Sequence, residues 1–367
     1  MSGANASPAG RSHKIMSGAN ASPAGRSHKT MVMKKINIGL IGLGRLGRLY
    51  AEYLVGRVRG GQLVAVADSS EGVAEPIADA LGIERHYRDY QDLLAQKNID
   101  AIVVTTPTST HKDVVVDSAK SGKAIFCEKP LSLSLEECEI MMKAVEQNGV
   151  FFQMGFMRRF DAGYAEAKRK ITEGVIGTPV VFKSSSRDPF RPSLEYADPK
   201  HSGGLIIDCG IHDFDLARWF MGDVAQVYSI GGTLVYPEMK EVDDIDNAIV
   251  ALTFVDGHVG VVDLSRSGIY GYDIRTEILG TKGTLQVGYL KQTPMLSLTK
   301  EGVTHDTVPY FTQRFEQAYV TQLQDFVDSL LQGNEPSVTG ADGIAAFQIS
   351  VAATASFKEG RPVAVGK

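Results

Sequence analysis

A lysine that could take part in chemistry follows an apolar run in the segment Cys127-Glu128-Lys129-Pro130. The run predicts a parallel strand, and open α/β sheets bind ligands at the carboxyl edge of such strands. An ammonium group there can stabilise negative charge on a reacting hydroxyl oxygen, while Pro130 fixes the local backbone. The alternative is that Lys129 is an ordinary surface lysine. A ligand-binding site beside Lys129 would disfavour that alternative. We predict that Lys129 is catalytic.

An acid and a histidine lie at positions i and i+4 in Asp208-Cys209-Gly210-Ile211-His212. The surrounding residues 205–221 have a helical pattern, and such positions share one face of a helix. Asp208 is therefore expected to orient the His212 imidazole and to raise its pKa, as suits a general base for an alcohol proton. Asp215 is an alternative partner, and a structural role for His212 stays open. A metal site is disfavoured because no further ligand stands at a suitable spacing.

A glycine-rich turn, Gly42-x-Gly44-x-x-Gly47, would place a cofactor beside these groups, because it joins an apolar strand to an amphipathic helix. Gly42 permits a tight turn, Gly44 permits close approach of a pyrophosphate, and Gly47 lets the helix pack on the strand. Unpaired N–H groups at the helix N-terminus attract phosphate. The triplet therefore predicts a dinucleotide site.

A second apolar strand ends in Asp68, about 20 residues after the triplet, as in dinucleotide-binding folds. A carboxylate there accepts hydrogen bonds from the adenosine ribose and repels a 2′-phosphate, so NAD is favoured over NADP. Ser69 and Ser70 add no positive charge, although Arg45 in the glycine-rich turn leaves NADP use open. A helix-capping role is the alternative for Asp68.

Alternating strand and helix patterns assign residues 33–155 to an α/β domain with a parallel sheet, a Rossmann dinucleotide-binding fold. Strands are predicted at residues 36–41, 63–67, 101–105, 124–127 and 151–154, and helices include residues 111–120 and 135–147. Residues 1–32 are set apart, because residues 1–14 recur letter for letter as residues 16–29. This segment is rich in Ser, Gly, Ala and Pro, so we interpret it as an expression scar or disordered tail and not as a signal peptide.

Residues 156–340 are predicted to form a second, α+β domain with a large, mostly antiparallel open sheet, because strand patterns follow one another through turns. Asp256-Gly257 lies between two such patterns and predicts a hairpin with a two-residue type I′ turn. Residues 280–283 predict a second hairpin turn. Helices are predicted at residues 205–221, 314–331 and 342–356, and residues 341–367 are expected to pack back on the body as a C-terminal helix and tail.

The bulk composition disfavours several classes of protein. The 367 residues are 43% hydrophobic and 22% charged, and a net charge of −5 offers no basic surface to nucleic acid. No run approaches the about 20 apolar residues of a membrane span. Cys127, Cys138 and Cys209 are odd in number and lack C-x-x-C spacing, so neither a disulfide framework nor a zinc site is expected. A cytoplasmic location fits these features.

Together the motifs resemble those of the glucose-fructose oxidoreductase, inositol dehydrogenase and rhizopine catabolism protein family, over about residues 35–365. The matching marks are Gly42-x-Gly44-x-x-Gly47, Thr106-Pro107-Thr108-x-x-His111, Glu128-Lys129-Pro130 and Gly203-Gly204-x-x-x-Asp208-x-x-x-His212-x-x-Asp215. Inositol 2-dehydrogenases are the most similar group, on Gly155 to Asp161, Arg187-Asp188-Pro189, Tyr270 to Asp273 and Arg314 to Tyr319.

The resemblance implies NAD-dependent oxidation of one ring hydroxyl of a small polyol, myo-inositol first, to a ketone by hydride transfer. It implies a catalytic group of Lys129, Asp208 and His212. Cofactor contacts are expected from Gly42, Gly44, Arg45, Leu46, Gly47, Asp68, Thr106, Pro107, Thr108, His111, Glu128 and Lys129, and substrate contacts from Lys129, Arg159, Asp188, Asp208, His212 and Tyr272. Ser186 and Asp188 stand where some inositol dehydrogenases carry His and Asn, which leaves the isomer open. The family also suggests a homotetramer formed through the open sheet face.

Three other functions remain as alternatives. A scyllo-inositol or aldose dehydrogenase would use the same fold, and a panel of polyols would separate these activities. A sensor that binds NAD without turnover is disfavoured by the intact Lys129, Asp208 and His212. A metal-dependent enzyme would lose activity with a chelator.

Overall fold

A computed structural model describes residues 35–366. The repeated segment lies outside the described residues, so the prediction of a scar or tail there is untested.

The first sheet is built from short, mostly buried runs: β1 (Ile36–Ile41), β2 (Gly61–Ala67), β3 (Arg85–Tyr87), β4 (Ala101–Val104), β5 (Ala124–Glu128) and β6 (Phe152–Gly155). The helices between them are α1 (Arg45–Gly56), α2 (Ala74–Leu81), α3 (Tyr90–Leu94), α4 (His111–Lys120) and α5 (Leu135–Asn148). All neighbouring strands are parallel in the order β3-β2-β1-β4-β5-β6, which is the Rossmann order. The sequence analysis missed only β3 of these strands, because its three residues, Arg85-His86-Tyr87, form no apolar run.

The second sheet contains β7 (Pro179–Arg187), β8 (Val224–Gly232), β9 (Asn247–Phe254), β10 (Val259–Ser265), β11 (Asp273–Gly280) and β12 (Thr284–Val287). A separate hairpin is formed by β13 (Ser297–Thr299) and β14 (Gly302–Thr304), and β15 (Val363–Ala364) joins the edge of the large sheet. The order is β12-β11-β7-β10-β9-β8-β15, and β7 with β10 is the parallel pair among antiparallel neighbours. The prediction of a mostly antiparallel sheet is confirmed.

Helices cover one face of this sheet. The helices of the second half of the chain are α6 (Ala162–Thr172), α7 (Leu194–Ala197), α8 (Pro199–Ser202), α9 (Gly204–Asp208), α10 (Ile211–Met221), α11 (Phe311–Arg314), α12 (Glu316–Gln332) and α13 (Gly340–Glu359). Of these, α6, α9, α10 and α13 contact strands of the second sheet, whereas α12 packs against α1 and β1 of the first domain. α10 packs against β7, and α13 packs against β8 and also against α5 and β6 of the first sheet. On the opposite face, alternate residues such as Tyr228, Ile230 and Ile249 are exposed, so this face is open. The division of the chain at residues 155 and 340 stays a prediction.

The turn between β9 and β10 differs from the predicted one. The hairpin is present, but of the two turn residues Asp256 and Gly257 only Gly257 has a positive φ, of 88°. The Gly257 N–H donates to the Phe254 carbonyl, and the Phe254 N–H donates to the His258 carbonyl. A type I′ turn needs positive φ at both central residues, so this is a three-residue turn with glycine in the left-handed position.

Candidate active site

Four of the predicted site segments follow neighbouring strands of the first sheet. Gly42 follows β1, Asp68 follows β2, Thr106 lies just beyond β4, and Lys129 follows β5. Because these strands are parallel, their carboxyl ends meet at one edge, and the strand order reverses there between β1 and β4. The cofactor-binding and catalytic candidates of this half of the chain are therefore brought together.

The glycine-rich turn has the geometry that a pyrophosphate requires. Gly42 has a φ of +94°, and a Cβ atom on it would lie 2.7 Å from the Thr106 nitrogen. A Cβ atom on Gly47 would lie 1.9 Å from the Gly42 carbonyl oxygen, so α1 can pack here only with glycine. Within the described residues nothing lies within 4 Å of the Cβ position of Gly44, whose helix start has no side-chain cap. The first turn of α1, with exposed Arg45 and half-buried Leu46, therefore offers unblocked N–H groups to a phosphate.

Asp68 is held at the end of β2 by main-chain N–H groups. One carboxylate oxygen accepts from Leu43 at 2.7 Å and the other accepts from Ser70 at 2.9 Å. A carboxylate has about four acceptor positions, so two remain for ribose hydroxyls. The N-cap of α2 is Val73, which removes the helix-capping alternative for Asp68.

His111 braces the loop that contains Thr106, Pro107 and Thr108. The ring is buried, with Nδ1 3.0 Å from the Pro130 carbonyl oxygen and Nε2 3.0 Å from the Thr106 carbonyl oxygen. Burial lowers the pKa of His111, so the ring is neutral. The two carbonyls place His111 between the loop after β4 and the residue after Lys129, and a neutral ring donates to one of them. The cofactor contact of His111 stays a prediction.

Glu128 also has a structural position instead of the predicted cofactor contact. Its buried carboxylate accepts hydrogen bonds from the Tyr50 hydroxyl, from the Gln322 amide and, at 3.0 Å, from the Lys129 main-chain N–H. Burial raises the pKa of Glu128. The side chain is turned into the core, where it fixes the backbone that presents Lys129.

The second sheet brings three further residues to one edge. β7 and β10 run parallel, and β11 runs antiparallel to β7, so the ends of the first two strands adjoin the start of the third. Asp188 follows β7, Arg266 follows β10, and Tyr272 precedes β11. The sheet topology therefore explains how residues distant in sequence meet.

Lys129 binds Asp208 where the predicted helix is broken. Its Nζ lies 3.0 Å from the Asp208 main-chain oxygen and 3.2 Å from the Asp208 Oδ1. In a continuous helix the Asp208 carbonyl would accept the N–H of His212, but no such bond exists in residues 35–366. α9 ends at Asp208 and α10 begins at Ile211, so the prediction of one helix over residues 205–221 was wrong. The Lys129 ammonium donates to the Asp208 carbonyl, which in a continuous helix would accept a main-chain N–H.

Two residues that the sequence analysis missed also hold Asp208. The Tyr196 hydroxyl donates to Oδ1 at 3.1 Å, and the Arg266 Nη2 lies 3.5 Å from Oδ2. Although burial opposes the charge, the Lys129 ammonium and the Arg266 guanidinium hold the pKa of Asp208 below its ordinary value. Tyr196 lies in a segment without a recognisable motif, whereas an arginine directly after the apolar strand β10 was a usable signal for a buried charge.

His212 does not pair with either predicted acid. Asp208 is bound by other groups, and Asp215 accepts from Arg159. The ring of His212 packs edge-on against Phe156, and its buried Nδ1 has no hydrogen-bond partner in the described part of the chain. Burial, and then the Lys129 and Arg158 charges, hold the pKa of His212 well below its ordinary value. The expected rise in this pKa was therefore wrong, because no carboxylate contacts the ring.

Arg159 binds carboxylates of the chain, and its substrate contact stays a prediction. Its guanidinium donates to both carboxylate oxygens of Asp215, at 2.9 and 2.5 Å, and lies 3.1 Å from Asp342. The group also lies over the Trp219 ring. Asp215 and Trp219 lie in α10 and Asp342 lies in the first turn of α13, so the Arg159 guanidinium joins these two helices.

Asp188 and Tyr272 retain hydrogen-bonding capacity. In residues 35–366 the Asp188 carboxylate has one side-chain partner, the Cys209 thiol at 3.8 Å. Burial, and then the Asp208 charge, raise the pKa of Asp188 to about 6. The buried Tyr272 ring packs against Tyr310 and Phe315, and its hydroxyl makes no hydrogen bond to the described residues. Burial and the Asp188 charge raise the pKa of Tyr272, so its hydroxyl stays a donor.

Metal ligands, thiols and membrane spans were also subjects of prediction. Residues 35–366 contain no group of three or more His, Cys, Asp or Glu that could hold a metal ion. Cys127, Cys138 and Cys209 are free thiols. No helix in the described range is both long enough and apolar enough to cross a membrane.

Comparison with known proteins decides the family. A model of an oxidoreductase family, NAD-binding Rossmann fold, matches residues 36–156, and a model of the oxidoreductase family C-terminal alpha/beta domain matches residues 168–365. The chain belongs to the glucose-fructose oxidoreductase, inositol dehydrogenase and rhizopine catabolism protein family. It is an NAD-dependent oxidoreductase of that family, so the alternative of a sensor without turnover is set aside.

Relatives in this family share most of their length with the chain. The scyllo-inositol 2-dehydrogenase (NAD(+)) of Bacillus subtilis (strain 168) is 42% identical over 90% of this chain and 96% of the relative. The myo-inositol 2-dehydrogenase of Thermotoga maritima is 37% identical over 89% and 98%. The crystal structure of scyllo-inositol dehydrogenase from Lactobacillus casei with bound NAD(H) and scyllo-inositol matches with a TM-score of 0.87 at 30% identity, over 91% and 100% of the two chains.

Proposed function

We propose that this oxidoreductase uses NAD to oxidise one ring hydroxyl of an inositol to a ketone, with myo-inositol as the first candidate. The observation that carries the proposal is the cluster of Lys129, Asp208, His212, Asp188 and Tyr272 at the edges of the two sheets. The inositol dehydrogenases among the relatives support the same substrate class.

The residues at the first sheet fit the cofactor. The N–H groups after Gly44 would hold the pyrophosphate, and Asp68 would accept the ribose hydroxyls. NAD supplies the carbon that accepts a hydride.

Lys129 would stabilise the reacting oxygen. Its ammonium has three N–H donors. Two of them are used by the Asp208 carbonyl and carboxylate, so the third is free for a substrate hydroxyl. The oxygen gains negative charge as its carbon loses hydride, and the ammonium binds it more strongly in the transition state. Asp208 fixes the direction of the ammonium.

His212 would accept the hydroxyl proton. Its lowered pKa keeps the ring neutral near pH 7, and proton transfer to Nε2 requires the tautomer with hydrogen on Nδ1. The C–H hydrogen leaves with its electron pair for the cofactor while the hydroxyl proton moves to His212, which yields the ketone. The charges of Lys129 and Arg158 disfavour the imidazolium, so the proton passes readily to solvent.

The remaining hydroxyls of a polyol would bind to Asp188 and Tyr272. The ionised Asp188 carboxylate accepts hydrogen bonds and currently has one weak thiol partner, and the Tyr272 hydroxyl can donate. Such a pair suits a ring that presents several hydroxyl groups.

Two inositols lead to the same ketone. Oxidation at C2 of myo-inositol and oxidation of scyllo-inositol both convert the reacting tetrahedral carbon to a planar carbonyl carbon. The configuration that distinguishes the two inositols is thereby lost. scyllo-Inositol is the second candidate, because the Bacillus subtilis relative at 42% identity is named for it.

A substrate panel tests this function. NADH formation is measured with myo-inositol, scyllo-inositol, D-glucose and D-xylose, each with NAD. We expect the highest kcat/KM for myo-inositol. A higher value for scyllo-inositol would reverse the order of the candidates, and turnover of the sugars alone would contradict an inositol dehydrogenase.

The open face of the second sheet would form a homo-oligomer, as the family resemblance suggests. Exposed apolar side chains, including Tyr228, Ile230 and Ile249, lie on this face. Light scattering of the wild type should give a multiple of the chain mass, and Ile249→Lys should reduce it. A monomeric wild type would contradict this proposal. Cytoplasmic location and the lack of nucleic-acid partners stay predictions.

A further inference from the structure

Arg266 is a fully buried cation that the reaction scheme does not use. Its Nη1 lies 2.5 Å from the Asp244 Oδ2, and its Nη2 lies 3.5 Å from the Asp208 Oδ2. The Arg266 main-chain N–H donates to the Asp246 carbonyl at 2.8 Å, which fixes the residue directly after β10. One buried guanidinium therefore connects a carboxylate in the core to the carboxylate that binds Lys129.

Asp244 is fixed independently of Arg266. Its Oδ1 accepts the Leu205 main-chain N–H at 3.0 Å, in the first turn of α9. A Cβ atom on Gly204 would lie 2.7 Å from this oxygen, so the approach needs glycine. α9 ends at Asp208, and so the Asp244–Arg266 pair contacts both ends of this five-residue helix.

The two oxygens of Asp208 have different partners. Oδ1 accepts from Lys129 and Tyr196, whereas Oδ2 faces Arg266. The contact at Oδ2 opposes rotation of the carboxylate, which without it would be held at Oδ1 alone, by Lys129 and Tyr196.

We propose that Arg266 and Asp244 are positioning residues, which orient Asp208 and through it the Lys129 ammonium. This assignment rests on the proposed function, because it concerns the same site. It gives the buried pair a role in turnover in addition to its role in the fold.

A double variant separates positioning from stability. Arg266→Met leaves Asp244 buried without its cation, which lowers stability whatever the role of the pair. Adding Asp244→Asn removes that unpaired charge, and the amide oxygen can still accept from Leu205. The double variant should therefore recover thermal stability but not the orientation of Asp208.

We expect kcat to fall by about 10- to 10²-fold in both Arg266→Met and the double variant, since misplacement of a catalytic group by about 1 Å has such an effect. The melting temperature should fall in the single variant and rise again in the double variant. Recovery of kcat together with stability would overturn the proposal. Arg314→Met is the matched control, because Arg314 is a buried arginine paired with Asp161 at 2.7 Å. It should lose stability and keep kcat.

The pH profile gives a second readout that a purely structural pair would not move. The charged and titratable groups that face Asp208 are Lys129, Tyr196, Asp188, Cys209 and Arg266. Loss of one of the two cations should raise the pKa of Asp208. The His212→Gln background removes the limb of His212, and in it the remaining acidic limb of kcat should move to higher pH when Arg266→Met and Asp244→Asn are added. An unmoved limb in that background would overturn the proposal.

A crystal structure of the double variant reports on Asp208 whether or not the substrate has been assigned correctly. We expect its carboxylate to turn away from Lys129. An unchanged Lys129–Asp208 contact would overturn the positioning role. Failure of the wild type on the whole polyol panel would contradict the proposed function instead, and the crystal structure would still decide the role of Arg266.

Discussion

Two ion pairs, Lys129–Asp208 and Arg159–Asp215, have the same kind of chemistry but different access to solvent. The Lys129 and Asp208 side chains are 18% and 14% exposed, whereas those of Arg159 and Asp215 are 7% and 1% exposed. Lys129 keeps a donor that a polyol can use. Arg159 directs its donors to buried Asp215 and to partly exposed Asp342.

The difference shows that residue type and spacing do not separate a pair proposed to be catalytic from a pair proposed to be structural. Both pairs join the segment after a strand of the first sheet to the region of α10. What distinguishes them is the hydrogen-bonding capacity that remains after folding. The first pair should therefore respond to substitution in turnover, and the second pair should respond in stability.

The largest effect on turnover is expected for His212→Gln, beside the first pair. Loss of general-base assistance should lower kcat by about 10² to 10⁴-fold. Because the pKa of His212 is lowered, the ring protonates only well below pH 6.5, and the wild-type acidic limb from this group should lie there. A series of kcat measurements over pH should show that this limb is lost in the variant. The wild-type profile in His212→Gln would assign the proton transfer to another group, with Lys129 next.

Arg159→Met should destabilise the fold and leave the chemistry in place. Removal of one partner of a buried ion pair costs about 3 to 5 kcal/mol, because Asp215 is left buried without its cation. Denaturant unfolding gives the free energy, and kcat per folded molecule should stay within a few-fold of the wild type. Arg159→Lys serves as the milder control. A fully stable Arg159→Met with a raised KM for the polyol would return Arg159 to the substrate site.

Asp188→Asn should lower kcat/KM for the polyol by less than His212→Gln lowers kcat. The pKa of Asp188 is raised to about 6, so the carboxylate is lost as pH falls through that value and kcat/KM for the polyol should fall with it. Asn cannot ionise, so the variant should lack this limb and have about tenfold lower kcat/KM at pH 8, where a charged acceptor is replaced by a neutral one. Persistence of the limb in the variant would show that another group titrates.

Asp68→Ala should change the cofactor preference, because Asp68 lies at the end of β2 beside the glycine-rich turn. The carboxylate binds ribose hydroxyls and repels a 2′-phosphate, so its loss should narrow the preference for NAD over NADP by about tenfold. The measurement is kcat/KM with each cofactor. An unchanged ratio would remove Asp68 from the cofactor site.

The sequence was sufficient to predict structural features whose geometry is determined by local spacing. The glycine-rich turn and the parallel sheet of the first domain follow from repeated strand–turn–helix patterns, and they were predicted. The hairpin of β9 and β10 was predicted too, but its turn type depends on the φ of Asp256, which the dipeptide alone does not determine.

The segment of residues 205–221, which contains Asp208 and His212, was predicted only in part, because tertiary contacts override its helical pattern. The Asp208 carbonyl binds Lys129 across 79 positions of sequence, which breaks the helix and separates Asp208 from His212. The contacts of Arg266 likewise depend on how β10 and α9 meet. The position of Arg266 after an apolar strand indicates a buried charge, but its partners cannot be predicted from the neighbouring sequence.

The most direct test of the central claim compares Lys129→Ala with Arg159→Met in single-turnover reactions with NAD and the preferred polyol. Titration of NAD should give nearly wild-type affinity in both variants. The rate of NADH formation should fall by about 10² to 10³-fold in Lys129→Ala, as for loss of a group that stabilises developing charge, and remain near the wild-type rate in folded Arg159→Met. A near-normal rate in Lys129→Ala would contradict the account.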